Sequence, residues 1–188
     1  MTGPWHDLTG RARLALPPRV RGWVAHPGSM TAKVGEQAGA PVSVEVLRQG
    51  PGRMLPDERP LLPPAPGSAT IREVCLSAGG RPLLVARTAF ASRRLATHPT
   101  ILALGDRPLG SLLFAEGRPN PHSARQFAHL GPDAPLFALI RRRHRGLAQA
   151  YWARRTLYLL FGEPLLVTEI FLPDLLHRPE ARRAFSRS

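Results

Sequence analysis

"RRTLYLLFGEPLLVTEIFLP", Arg154 to Pro173, holds two runs rich in β-branched, aromatic and aliphatic residues, folded on a turn at Gly162-Glu163. Pro164 stands at the start of the returning strand, where it breaks no ladder bond. Upstream, "TIREVCLSAGGRPLLVARTAF" repeats the design with its turn at Gly79-Gly80. "GRPLLVAR" from Gly80 aligns with "GEPLLVTE" from Gly162, although two similar strands fall short of a repeat signature. Strands joined by tight turns pair antiparallel, and that decides the sheet.

Further out, "PVSVEVLRQG" alternates Val42, Val44 and Val46 against Ser43 and Glu45, a strand with one buried face. "WVAHPGSMTAKVGEQAG" is a turn and then a short helix, with Ser29 as N-cap, Met30 in the first turn and Gly39 at the stop. "LGDRPLGSLLF" reads as a second helix start, with Asp106 a candidate cap and Pro108 in the first turn. "SARQFAHLG" and "DAPLFALIRRRHRGLAQAYW" suggest two more helices, and the proline-rich "PGRMLPDERPLLPPAPGSAT" a loop. The pattern predicts one α+β domain over residues 1–188, an antiparallel sheet with helices on one side. Its core runs over about 23–173, and residues 174–188 form a frayed basic tail.

Composition narrows the function. At 188 residues and 43% hydrophobic, the chain can bury a proper core. Cys75 is the single cysteine, so no intramolecular disulfide forms, and the expected compartment is the cytoplasm. The N-terminus lacks a secretory signal pattern, and no apolar run reaches membrane-spanning length, so no stable membrane insertion is expected. A net charge of +13 invites a nucleic-acid partner. However, Lys33 is the only lysine and the arginines are scattered, apart from "RRRHR" at Arg141 to Arg145. That cluster reads as a solvated face, without aromatic residues interleaved for RNA, so no nucleic-acid partner is expected. The same basic surface would draw in a small dianion. The seven histidines show no metal-ligand spacing, and no P-loop, G-x-S-x-G or G-x-G-x-x-G is present.

Three charges remain on strand faces that otherwise read as core. Glu169 alternates with Leu165, Val167 and Phe171; Arg87 with Leu83 and Val85; Arg72 with Val74 and Leu76. Cys75 falls on the face opposite Arg72 and reads as a packed thiol. A buried Arg–Glu salt bridge explains the charges; so does a closed anion pocket, with arginine gripping a carboxylate and glutamate accepting from a hydroxyl. The helix starts at Met30 and near Leu109 offer backbone N–H groups to the same anion.

The blocks "GSMTAKV", "PVSVEVLRQG", "IREVCL", "GGRPLLVARTAF", "LGDRPLGSLLF", "YWARRTLYL" and "GEPLLVTEIFLP", in this order from about Trp23 to Pro173, resemble the chorismate pyruvate-lyase family. The resemblance implies a six-stranded antiparallel sheet with flanking helices, helical flaps over an internal site, and a monomer. It implies a cofactor-independent, metal-free lyase that converts chorismate to 4-hydroxybenzoate and pyruvate for ubiquinone. Its ligand contacts carry over to Met30, Arg72, Leu109 and Glu169, with Arg87 as a further pocket residue near the leaving pyruvyl group; Arg72 and Glu169 are the catalytic pair. The proline-rich loop and the segment from Pro132 to Ala150 depart from the family pattern. Ligand-binding domains of some transcription regulators resemble the same fold, so a non-catalytic anion sensor is the rival.

Overall fold

The computed structural model describes residues 4–64, 69–115, 123, 125–141 and 149–177. Its strands are β1 (His6–Asp7), β2 (Val42–Gly52), β3 (Ala69–Ala78), β4 (Arg81–Phe90), β5 (Gln126–Leu130), β6 (Tyr151–Leu160) and β7 (Glu163–Phe171). They form one antiparallel sheet in the order β1-β5-β6-β7-β4-β3-β2. Six strands were expected; the seventh is the two-residue β1 at one rim. The helices are α1 (Gly10–Ala15), α2 (Pro18–Val24), α3 (Met30–Ala38), α4 (Arg93–Ala96), α5 (Pro99–Leu102), α6 (Gly110–Leu113), α7 (Phe137–Arg141) and α8 (Pro173–Leu176).

The two hairpins lie side by side, joined along β4 and β7 with Ala86 opposite Glu169 and Thr88 opposite Val167. Gly79 and Gly80 have φ of 59° and 73°, the left-handed pair that suits a two-residue turn. In the second hairpin Leu160 pairs with Glu163, so the turn is Phe161-Gly162, one residue earlier than the sequence suggested. Phe161 holds φ of 53° without being glycine, and its ring stacks on His98 at 4.1 Å.

Two irregularities shift the alternation of side chains. Between β3 and β4, Ser77 faces Pro82 but Leu76 faces Leu84, an extra residue in β4. Beyond that bulge Arg72 stands opposite Thr88, while Arg87 stands opposite Glu73. Arg72 and Arg87 therefore occupy opposite faces of the sheet. In the edge strand β2 a second break between Val46 and Arg48 leaves Val46 37% exposed, against the expected buried face.

α3 forms as expected: Ser29 Oγ accepts from the Ala32 amide at 3.4 Å, and Gly39 ends the helix in the left-handed region. "LGDRPLGSLLF" gives only the short α6, with Leu109 at its cap position and no side-chain cap; Asp106 does not cap it. "SARQFAHLG" was expected to be helical but supplies β5, paired along β6. In the longer expected helix, α7 ends at Arg141 and β6 begins at Tyr151. Most of "RRRHR" and the tail beyond His177 lie outside the described residues.

Both faces of the sheet are covered. One packs Leu76, Leu84 and Phe171 under Trp23 of α2 and Val34 of α3, and Phe90, Tyr158 and Leu165 under α4 to α6. The other packs Cys75, Val85 and Ile170 against Phe137 and Ile140 of α7, so helices are not confined to one side. No described helix is long and apolar enough to cross a membrane.

Candidate active site

Glu169 projects from the centre of β7, and its immediate neighbour across the sheet is Arg154 on β6. Arg154 Nε donates to Glu169 Oε2. The arginine is 1% exposed and the glutamate 9%, so each charge is buried only because the other meets it. Arg154 Nη1 also donates to the His26 carbonyl at 2.6 Å, ahead of α3. With Oε2 taken by Arg154, Oε1 is the glutamate oxygen left to accept from a ligand.

Arg72 lies on the same face, two strands from Glu169, and is 2% exposed. Its partners are neutral: Nη1 donates to Gln49 Oε1, and Nη2 to the carbonyls of Gly105 at 2.8 Å and Arg107 at 3.2 Å. Among the described residues it forms no ion pair. Burial pulls its pKa below the ordinary arginine value and nearby Asp106 opposes that, but a guanidinium stays charged at neutral pH. Its charge thus meets three neutral oxygens, and among the described residues no carboxylate contacts it.

Between Arg72 and Glu169 lies a cavity of about 580 Å³ of atom-free space, part of it open to solvent. Its floor is the sheet, with Val74, Ala86, Thr88 and Val167; its roof is Ser29 to Thr31 at the start of α3 and Pro108 to Gly110 ahead of α6. The first-turn amides of α3 have no acceptor within the helix, Ala32 excepted, and face an anion favourably. Tyr158 closes one end; burial first, and then Glu169, raise its pKa, so it stays a neutral phenol that can donate. A second cavity, lined by Pro4, Asp57, Leu130, Gly131 and Asp133 to Leu136, is the roomier one, but it has no arginine on its walls.

The model of the family described as Chorismate lyase matches residues 9–181. The chain belongs to the chorismate lyase family. It is 39% identical to the protein of Azoarcus sp. (strain BH72) named a probable chorismate pyruvate-lyase, over 93% of this chain and 97% of that one. It is 36% identical to the chorismate pyruvate-lyase of Escherichia coli O1:K1 / APEC, over 85% of this chain and 86% of that one. Among solved structures, PhnF from Mycobacterium smegmatis matches at 12% identity with a TM-score of 0.59, covering 85% of this chain and 70% of that one. The effector domain of PhnF matches at 13% identity with a TM-score of 0.55, over 78% of this chain and 90% of that one. Those two likenesses concern the fold.

The chain brings Met30, Arg72, Leu109 and Glu169 to one cavity. Arg87 does not join them. The bulge in β4 turns it to the far face, where Nε donates to Glu58 Oε1 at 2.7 Å and Nη1 to Glu73 Oε1 at 2.6 Å. Burial alone would lower its pKa, but the two carboxylates outweigh that and raise it. Sequence reasoning missed Arg154, the partner of Glu169. It stands beside Arg155, which points the other way to Asp57 and to the ring of Trp5. Among the described residues no three His, Cys, Asp or Glu side chains gather as a metal-binding group.

Proposed function

We propose that this chorismate lyase family member is a chorismate pyruvate-lyase, converting chorismate to 4-hydroxybenzoate and pyruvate. The supporting observation is the buried Arg72, bonded only to neutral oxygens, facing the Glu169–Arg154 pair across a mostly apolar cavity. Chorismate carries a ring carboxylate, a ring hydroxyl and an enolpyruvyl ether beside that hydroxyl. In this assignment Arg72 and the amides at Met30 and Leu109 hold the ring carboxylate, and Glu169 Oε1 accepts from the hydroxyl.

Breaking the ether C–O bond sends its electrons to the departing enolpyruvate oxygen. The hydroxyl-bearing carbon loses its proton, and the ring becomes aromatic. The enolpyruvate gains a proton at its methylene carbon and becomes pyruvate, so atoms and charge balance without an oxidant or reductant. The protein's part is to hold the reactive conformer in a site screened from water and to face the developing charge with fixed dipoles. Aromaticity supplies the driving force.

The direct test mixes purified protein with chorismate, without added metal, and follows both products by chromatography. Equal release of 4-hydroxybenzoate and pyruvate above the uncatalysed rate is expected, and its loss in Arg72→Ala. Tight 4-hydroxybenzoate binding without turnover would favour the anion sensor instead. We further propose a cytoplasmic monomer supplying ubiquinone synthesis. Light scattering checks the monomer, and quinone profiling of a deletion strain checks the pathway.

A further inference from the structure

Arg125 immediately precedes β5, where Gln126 faces Arg155 and Phe127 faces Arg154. One step back along the ladder places Arg125 across from Thr156, on the cavity face. Thr156 in turn faces Val167, Val167 faces Thr88, and Thr88 faces Arg72. Arg72 and Arg125 thus stand at the two ends of one row; Arg72, Thr88 and Val167 line the cavity, while Thr156 and Arg125 lie just beyond its lining, next to Tyr158 and Glu169. Four strand spacings separate their backbones, about 19 Å.

The Arg125 end is short of acceptors. Nη2 donates to the Pro27 carbonyl at 3.0 Å, three residues before Met30. Nε is buried and has no hydrogen-bond partner among the described residues, and the same holds for the neighbouring Thr156 Oγ1. Arg125 also lies near Glu169, Arg154 and Tyr158; burial, and next Arg154, lower its pKa, while Glu169 and a hydrogen bond with Tyr158 partly oppose that. Glu169 already neutralises Arg154, so this corner keeps a surplus cation.

We propose that Arg125 is the site's second anion-binding cation and receives the enolpyruvyl carboxylate of the substrate. This rests on the lyase assignment above, which places the hydroxyl at Glu169 and therefore the ether beside it. It gives the leaving group the partner that Arg87, on the far face, cannot provide. The carboxylate would take the Nε that has no acceptor, with Thr156 and Tyr158 at its flank. Charge left on the departing enolpyruvate then forms next to a guanidinium already in place. The product 4-hydroxybenzoate, which lacks this second carboxylate, makes no use of Arg125.

The test compares kcat/KM for chorismate with Kd for 4-hydroxybenzoate in the full chain. Losing one charge-assisted contact, Arg125→Gln should lower kcat/KM about ten- to a hundredfold, with Arg125→Lys recovering part of it. The Kd for 4-hydroxybenzoate should stay within about twofold, whereas Arg72→Ala weakens both ligands. An unchanged kcat/KM would overturn the assignment. So would a parallel fall in both quantities, which would make Arg125 a brace for Pro27. Should Arg125→Gln fail to fold, the wild-type protein still decides: 3-(1-carboxyethoxy)benzoate, an inert dianion, must bind more tightly than benzoate, and equal affinity rejects the second cation. Tighter binding of the dianion with no chorismate turnover would reject the lyase assignment and leave the Arg125 site standing.

Discussion

Glu169 and Arg154 form a unit whose halves cannot be removed separately at low cost. Arg154→Met leaves a buried carboxylate unpaired, and we expect a loss of about 3–5 kcal/mol in urea unfolding. Adding Glu169→Leu should recover part of that loss, because the pair as a whole is replaceable by apolar volume. Full recovery is not expected, since the His26 carbonyl also loses its donor. Equal stabilities for wild type and Arg154→Met would refute the coupling. The pairing was within reach of the sequence, and a one-residue error hid it. With the turn at Phe161-Gly162, Leu160 closes on Glu163 and the ladder places Arg154 opposite Glu169. With the turn set at Gly162-Glu163, Thr156 takes that place. A phenylalanine in a left-handed position is not what turn chemistry predicts, so the register was misjudged.

Among the elements, α3 and α6 form the roof, and they touch where Ser29 meets Gly110. A Cβ on Gly110 would lie 2.9 Å from Ser29 Oγ and 3.6 Å from its Cβ. We therefore expect Gly110→Ala to push the two roof segments apart and weaken 4-hydroxybenzoate binding on the order of tenfold, because both segments hold one carboxylate. Combining it with Ser29→Ala should restore part of the affinity while costing α3 about 1 kcal/mol for its cap. Calorimetric titration of the single and double variants checks this; unchanged affinity in Gly110→Ala would mean the segments do not act together. Ser29, Met30 and Gly39 announced α3 plainly. β5 was less legible: "QFAHL" spaces Phe127 and Leu130 as a helix would, and five residues cannot separate the two periods. Pairing with β6 decided it.

At the scale of the whole molecule, the sheet carries a ligand cavity on one face and a closed ion network on the other. Glu58, in the proline-rich loop, accepts from Arg87 Nε at 2.7 Å and Nη2 at 3.1 Å, and from the Leu55 amide at 2.7 Å. With Glu73 on the same guanidinium, Arg87 pins that loop to β3 and β4. Arg87→Ala leaves two carboxylates near each other in a buried place, and we expect about 3–5 kcal/mol of destabilisation. Affinity of the folded protein for 4-hydroxybenzoate should not change, which separates Arg87 from Arg72; a large change would return Arg87 to the site. The antiparallel sheet and most of the cavity residues were legible because alternation and turn residues are local signals. The face of Arg87 was not, because one inserted residue in β4 inverts everything beyond it. The break in β2 acts on a larger stage. A second copy approaching that rim meets a ladder out of step between Val46 and Arg48, charged side chains at Glu45 and Arg48, and Pro51 without a donor. At the opposite rim β1 is two residues long, His6 and Asp7. Along β2, then, the broken register, the charges and the proline all oppose growth of the sheet from one molecule into the next.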